Sequence, residues 1–266
     1  MVKSNNESNL NEQTFLETIF THRTIRRFQR GATIPSDHQE TIERAAQRAA
    51  SSCSGQMYSF VEITDVKIRT ALYEVCGNQT MIRDASIFYV VAADLKRLDT
   101  LVAAAGGQCQ LGPISGSLIA SCDASFAAQN LVLAAEALGY GTAYIGTCGD
   151  RCREVSQLLE LPERVIPLYG LAIGVPEENP PLRPRLSNPA VFHRNKYELL
   201  SDQQLESEIQ HMSTELENEG YYRKYTSRKP DYTWKDHLRQ KFGGMWLQDV
   251  ETQRAEVVKS RMQTSD

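Results

Sequence analysis

Residues 117–138 read SLIASCDASFAAQNLVLAAEAL, a stretch that is apolar nearly all round and rich in alanine. A surface helix keeps a polar face, so a helix without one is buried on most sides. The small side chains let a neighbouring helix approach closely, including one from a second subunit. Asp123, Gln129 and Asn130 interrupt the run and make it too polar for a membrane span. Gly139 and Gly141 supply a C-cap and a turn behind it, and 106–116 is a glycine-bearing break ahead of it.

Around this helix the sequence alternates strand and helix signals. Residues 87–93, Ile-Phe-Tyr-Val-Val-Ala-Ala, form an apolar run of strand length, which predicts a strand buried on both faces. Further strands are expected at 60–64, 142–146 and 168–175. Ser36 and Gln39 predict a capping box for a helix through about Ala50. Val66 to Val75 reads as a helix, Asp150 as the cap of another reaching about Glu160, and 201–219 and 233–250 as two more. Residues 14–21 carry Phe15, Leu16, Ile19 and Phe20 on one helical face, and 1–11 read as a disordered lead-in. The expected organisation is a core at 12–200 followed by a helical extension at 201–266.

The chain has 266 residues, a formal charge of −4 and 23% charged residues, so no general basic surface argues for nucleic acid. The first ten residues are polar and hold no apolar segment, so no signal peptide is expected and the cytoplasm is the expected location. Cys53, Cys76, Cys109, Cys122, Cys148 and Cys152 include no C-x-x-C pair. No metal site is expected, and the thiols read as reduced and structural.

Within that charge balance, His22-Arg23-Thr24-Ile25-Arg26-Arg27-Phe28 concentrates three guanidiniums, an imidazole and a hydroxyl. Guanidinium forks match phosphate oxygens, although the same residues also fit a solvated basic turn. Ser51, Ser52 and Gln56 lie in a hydroxyl-rich loop that suits a flat polar ligand and equally a linker. Gly77-Asn78-Gln79 is a turn, and 146–150 follows a strand with backbone amides that can face a ligand. Arg183 and Arg185 flank a proline as a second anion contact or a plain surface loop. There is no G-x-G-x-x-G, no G-x-x-x-x-G-K-[ST] and no G-x-S-x-G. Anion grips without a nucleophile fit a protein whose chemistry is carried by a bound cofactor.

Together these segments resemble the flavin-dependent nitroreductase family, in its oxygen-insensitive, NADPH-preferring nitroreductase and FMN reductase branch. The matching pieces include His22 to Arg26, Ser51 and Ser52 with Gln56, and Gly77-Asn78-Gln79. Asp123 with Ala127-Ala128-Gln129-Asn130, Tyr144-Ile145-Gly146, Arg183-Pro184-Arg185-Leu186, and Tyr221-Tyr222 with Thr233-Trp234 follow in the family's order. The resemblance implies an α+β fold, a mixed sheet surrounded by helices, with FMN at a homodimer interface. It implies that His22, Arg23, Thr24, Arg26, Arg183 and Arg185 bind the FMN phosphate and ribityl chain. Ser51, Ser52, Gln56 and Gln79 would lie along the flavin, partly from the partner subunit, and Gly146 and Thr147 at its reactive edge. No side-chain acid or nucleophile is implied, since hydride passes from NADPH or NADH to flavin N5 and two electrons pass on to nitroaromatics, quinones or free flavin.

Two departures qualify the resemblance. Thr147, Cys148 and Gly149 replace the family's usual glycine and arginine after Tyr-Ile-Gly, which places Cys148 close to the flavin. The arm after the paired tyrosines keeps Arg223, Lys224 and Arg228 as candidates for the 2′-phosphate of NADPH, but Tyr225 and Pro230 interrupt their usual placement. A flavin store or redox sensor with little turnover, and a specialised reductase of the same fold, are the alternative readings.

Overall fold

A computed structural model of the chain describes residues 15–225 and 231–263. Its four strands are β1 (Tyr58–Glu62), β2 (Ile87–Asp94), β3 (Gly141–Ile145) and β4 (Val165–Gly174), paired in the order β1-β2-β4-β3. Every one of these pairings is antiparallel. The parallel component expected of a mixed sheet is confined to an isolated bridge between Thr24 and Thr142.

The apolar run of β2 is buried at every position because the sheet is covered on both faces. Phe88 and Val90 face one core with Ile25, Leu72, Ile82, Ile145 and Val155. Ile87, Tyr89 and Val91, one step out of phase, face the other with Ile42, Ala127, Leu131, Leu171 and Ile173. That period of two is what a pleated strand imposes. Helices Ser36–Ala46 and Pro113–Ala137 contribute to the second core, and Val66–Val75, Thr80–Asp84 and Cys152–Leu158 to the first.

Helix Pro113–Ala137 is long and apolar enough to cross a membrane by composition, yet its burial against the sheet marks it as a core helix. It begins earlier than the glycines of 106–116 suggest, because Pro113 stands at its first turn, where the missing N–H costs nothing. Gly116 is tolerated there since a Cβ would meet Leu95 at 2.5 Å.

Other boundaries differ for physical reasons. Ser36 makes no capping hydrogen bond, and the Gln39 amide donates instead to Glu43, Glu62 and Tyr89. Asp150 does not cap Cys152–Leu158; its carboxylate pairs with Arg254. The expected 233–250 helix divides into Trp234–Phe242 and Met245–Arg261 around Gly243 and Gly244. By contrast, Val66–Val75 has its expected bounds and the Asp65 side chain as cap, and Ser201 with Gln204 forms a true capping box for Asp202–Asn218.

Contacts divide the chain into one compact unit running to Pro180 and resuming at Thr252, and a second at Pro181–Glu251. This division differs from a core at 12–200 with an extension at 201–266. The second unit packs Met212, Leu216 and Tyr222 with Tyr221, Tyr232 and Trp234. In the first, the returning chain contributes Val257 and Met262 to a core with Met57, Ala93, Leu95 and Ala120. Arg164 fastens it: 1% exposed, its guanidinium binds Asp99 at 2.7 and 2.9 Å and the carbonyls of Leu111 and Met262 at 2.9 and 2.6 Å.

Phe88 is fully buried and lies where a Cβ on Gly170 would come within 2.6 Å of its ring. Phe88→Ala leaves a cavity that the rigid central strand cannot fill, and should lower stability by about 3–5 kcal/mol in urea unfolding.

Candidate functional site

Helix Phe15–Phe20 leads into an extended segment docked on β3, where the Ile25 N–H donates to the Thr142 carbonyl at 2.9 Å. Ile25 and Phe28 turn into the core, which leaves His22, Arg23, Thr24 and Arg26 half-buried beside them. Nδ1–H of His22 donates to the Glu136 carboxylate at 2.8 and 3.0 Å, and the Thr142 hydroxyl donates to the same group at 2.6 Å. Glu178 accepts the backbone N–H groups of Arg26 and Arg27 at 2.6 and 3.1 Å. Arg23 donates to the carbonyls of Thr21 and Pro180 at 3.1 and 3.2 Å. The basic stretch is therefore a fixed platform rather than a solvated turn. A cavity of about 340 Å³ beside it is lined by Arg23, Glu136, Gly141, Glu178 and Asn179 among others.

The 51–57 loop is held by a second carboxylate. Cys53, Ser54 and Gln56 all have left-handed backbones, at φ 49°, 56° and 48°, a conformation that costs non-glycine residues free energy. Asp123, 1% exposed, accepts from the Ser51 hydroxyl at 2.6 Å, the Ser52 N–H at 2.9 Å and the Met57 N–H at 3.2 Å. The Gln56 N–H donates to Ser51 Oγ at 2.6 Å, and Arg97 holds the Gln56 carbonyl at 2.7 Å. The side chains of Ser52 and Gln56 stay exposed.

Gln79, Gly146 and Thr147 meet where β3 ends. The Gln79 amide donates to Thr147 Oγ1 at 2.6 Å and to the Cys76 carbonyl at 3.1 Å. Gly146 is exposed, and a Cβ there would meet nothing within 4 Å, so its backbone faces open space. Gly149 is the opposite case, since a Cβ would stand 2.1 Å from the Leu168 carbonyl oxygen. Leu168 is the extra residue of a β-bulge, where β2 steps from pairing with Tyr169 to pairing with Pro167. Beneath the loop, the buried Cys76 and Cys148 sulfurs lie 3.5 Å apart. The contact with Cys148 holds the Cys76 thiol below the ordinary range, while the same contact and burial push Cys148 well up.

In the second unit, the Arg183 guanidinium binds Glu219 at 2.6 Å and lies 3.5 Å from the centre of the Tyr221 ring. Burial raises Glu219 above the usual carboxylate range, against the pull of Arg183. Arg185 reaches the Pro184 carbonyl at 3.0 Å. Arg223 and Lys224 are exposed on helix Tyr221–Tyr225, and Arg228 lies outside the described residues.

Three groups of sequence-predicted residues thus form within the first unit: His22 to Arg26, Ser51 with Ser52 and Gln56, and Gln79 with Thr147. What the sequence reading left out is the holding role of Glu178, Thr142 and Arg97, with Asp123 and Glu136 recognised only as parts of motifs. A signal for two of them was present, because a carboxylate inside an apolar helix must be paired.

A sequence model described as the nitroreductase family matches residues 19–175. An NADPH-flavin oxidoreductase of Vibrio harveyi is 34% identical, covering 86% of this chain and 91% of that protein. An oxygen-insensitive NADPH nitroreductase of Salmonella typhimurium is 34% identical over 84% of this chain and 89% of its own length. The solved NADPH:FMN oxidoreductase of Vibrio harveyi complexed with NAD+ superposes with a TM-score of 0.76 at 31% identity, covering 91% of this chain and 98% of that one.

Asp123→Ala removes the acceptor of three loop donors and leaves the left-handed residues unsupported. Amide hydrogen exchange should accelerate at Ser52 and Met57 while the central strands keep their protection, with a stability loss of about 3 kcal/mol or more.

Proposed function

Because the chain belongs to the nitroreductase family, we propose that it is an FMN-dependent NAD(P)H oxidoreductase reducing flat two-electron acceptors such as nitroaromatics, quinones or free flavin. The observation that carries this reading is the placement of two groups along β3. The basic segment docks at Thr142, while Gly146 and Thr147 follow the strand's far end. Four extended steps between them span roughly 13 Å, comparable with the reach of a ribityl phosphate from its anion to its ring. Arg23 and Arg26 are suited to the dianionic phosphate, with His22 and Thr24 as adjoining donors. Open space at Gly146 admits a ring against the backbone, and Gln79, steadied by Thr147, offers an amide beside it.

When bound, FMN supplies the redox chemistry, accepting hydride from a reduced nicotinamide and passing two electrons to the acceptor. The chain's task is to bind, orient and tune it, which explains a site without an acid or a nucleophile. NADPH is the preferred donor in this reading, with Arg223, Lys224 and Arg228 as its 2′-phosphate contacts.

The enzyme is a cytoplasmic homodimer in this reading. Asp123 and Glu136 stand roughly 20 Å apart along one helix, so the Ser51 loop and the His22 segment attach near opposite ends. Setting that helix against its copy in the reverse direction brings one chain's loop towards the other's basic segment. Ile114, Leu118 and Phe126, exposed at 77%, 65% and 52% on one face of the helix, are the apolar surface that such a partner covers.

Purified protein should be yellow and release about one FMN per chain. Anaerobic NADPH should bleach it, and a nitroaromatic should restore the colour. Bound flavin that stays oxidised under NADPH would mark a store or sensor instead. Arg26→Ala should weaken FMN binding about tenfold or more, measured by fluorescence titration. Arg223→Ala should raise the Michaelis constant for NADPH about tenfold and leave that for NADH unchanged; equal effects would remove the 2′-phosphate assignment.

A further inference from the structure

We propose that Cys76 and Cys148 form a peroxide-oxidisable dithiol, a modification site that closes to a reversible disulfide between the turn after helix Val66–Val75 and the loop after β3. The first ground is geometry. Their sulfurs are already 3.5 Å apart, and a disulfide needs an approach of roughly 1.5 Å more. The two backbones are tied independently of the sulfurs, because the Gln79 amide spans the Cys76 carbonyl and the Thr147 hydroxyl. Closure is therefore a matter of side-chain movement at a junction that is already made.

The second ground is chemical asymmetry. The contact with Cys148 favours negative charge on Cys76, and the Arg151 guanidinium adds to that stabilisation. The thiolate is the nucleophilic form of cysteine, so Cys76 is the attacking sulfur and Cys148 the resolving one. The Cys76 sulfur attacks one oxygen of hydrogen peroxide, the O–O bond breaks, and one water leaves, giving a sulfenic acid. The Cys148 sulfur then attacks the Cys76 sulfur. An S–S bond forms, the S–O bond breaks, and the second water carries off the Cys148 proton. Two thiols lose two electrons in all, and one peroxide becomes two waters; an external dithiol reverses the change.

Burial selects the oxidant. Cys76 and Cys148 are 1% and 0% exposed, which excludes a bulky disulfide such as oxidised glutathione and leaves peroxide, the smallest common oxidant of thiolates, as the reagent. Cys53 is exposed and open to both. The proposal goes beyond the flavin reading and does not rest on it, since no step involves the flavin.

The test treats the full chain with hydrogen peroxide, blocks free thiols in denaturant, and maps the peptides without reduction. The expected result is a peptide pair joined through Cys76 and Cys148 and released by dithiothreitol. In Cys148→Ala, Cys76 should persist as a sulfenic acid that dimedone labels, whereas in Cys76→Ala the remaining Cys148 should stay unlabelled. Recovery of Cys76 and Cys148 as blocked free thiols, at peroxide levels that have oxidised Cys53, would overturn the proposal. Wild-type mapping decides the matter even where a variant fails to fold.

Discussion

A carboxylate taken out of water must recover its hydrogen bonds from the protein, and helix Pro113–Ala137 carries two such groups in an otherwise apolar sequence. Asp123 recovers them from Ser51, Ser52 and Met57, and Glu136 from His22 and Thr142. Each bargain is mutual, because the donors other than Thr142 come from segments with no regular ladder of their own. The 51–57 loop keeps three left-handed residues in place only because Asp123 gathers its hydroxyl and amides. The basic segment keeps its imidazole at a fixed point because Glu136 stands beside the start of β3. One buried helix thereby sets the positions of two polar surfaces as well as filling the core.

This arrangement suits chemistry done by a bound group. The side chains proposed as flavin contacts are half-buried or exposed, whereas Asp123 and Thr142, two of the groups that hold them, are buried. Rigidity and contact are assigned to different residues. A substitution at a contact then alters binding while the fold persists, and a substitution at Asp123 loosens a loop before it touches any ligand.

The sequence was most legible where one physical rule dominates. A continuous apolar run marked β2, and the helical readings at 66–75 and from 201 match Val66–Val75 and Asp202–Asn218, whose local side-chain caps fix their starts. It was less legible where tertiary partners competed. Gln39 abandons a local cap for Glu43, Glu62 and Tyr89, and Asp150 leaves its own helix for an arginine 104 residues away. The motif order identified the family, because several weak signals in sequence constrain one another. It did not reveal Glu178, whose role depends on a loop folding back over 150 residues onto the Arg26 and Arg27 amides. Arg183 also read as an anion grip, and its partner Glu219 lay 36 residues downstream, beyond any local pattern.

The fastening of Met262 by Arg164 places a limit on synthesis. The core that unites Met57, Ala93, Leu95 and Ala120 also needs Val257 and Met262, which emerge much later in synthesis. Between them lies a whole second compact unit, Pro181–Glu251, free to condense first around Met212 and Tyr222. The earlier part of the chain must wait with an unfinished apolar surface and an Arg164 that has Asp99 and Leu111 but lacks the Met262 carbonyl. Its closure waits on those later residues, and that interval is when the nascent chain is most exposed to association with its own copies.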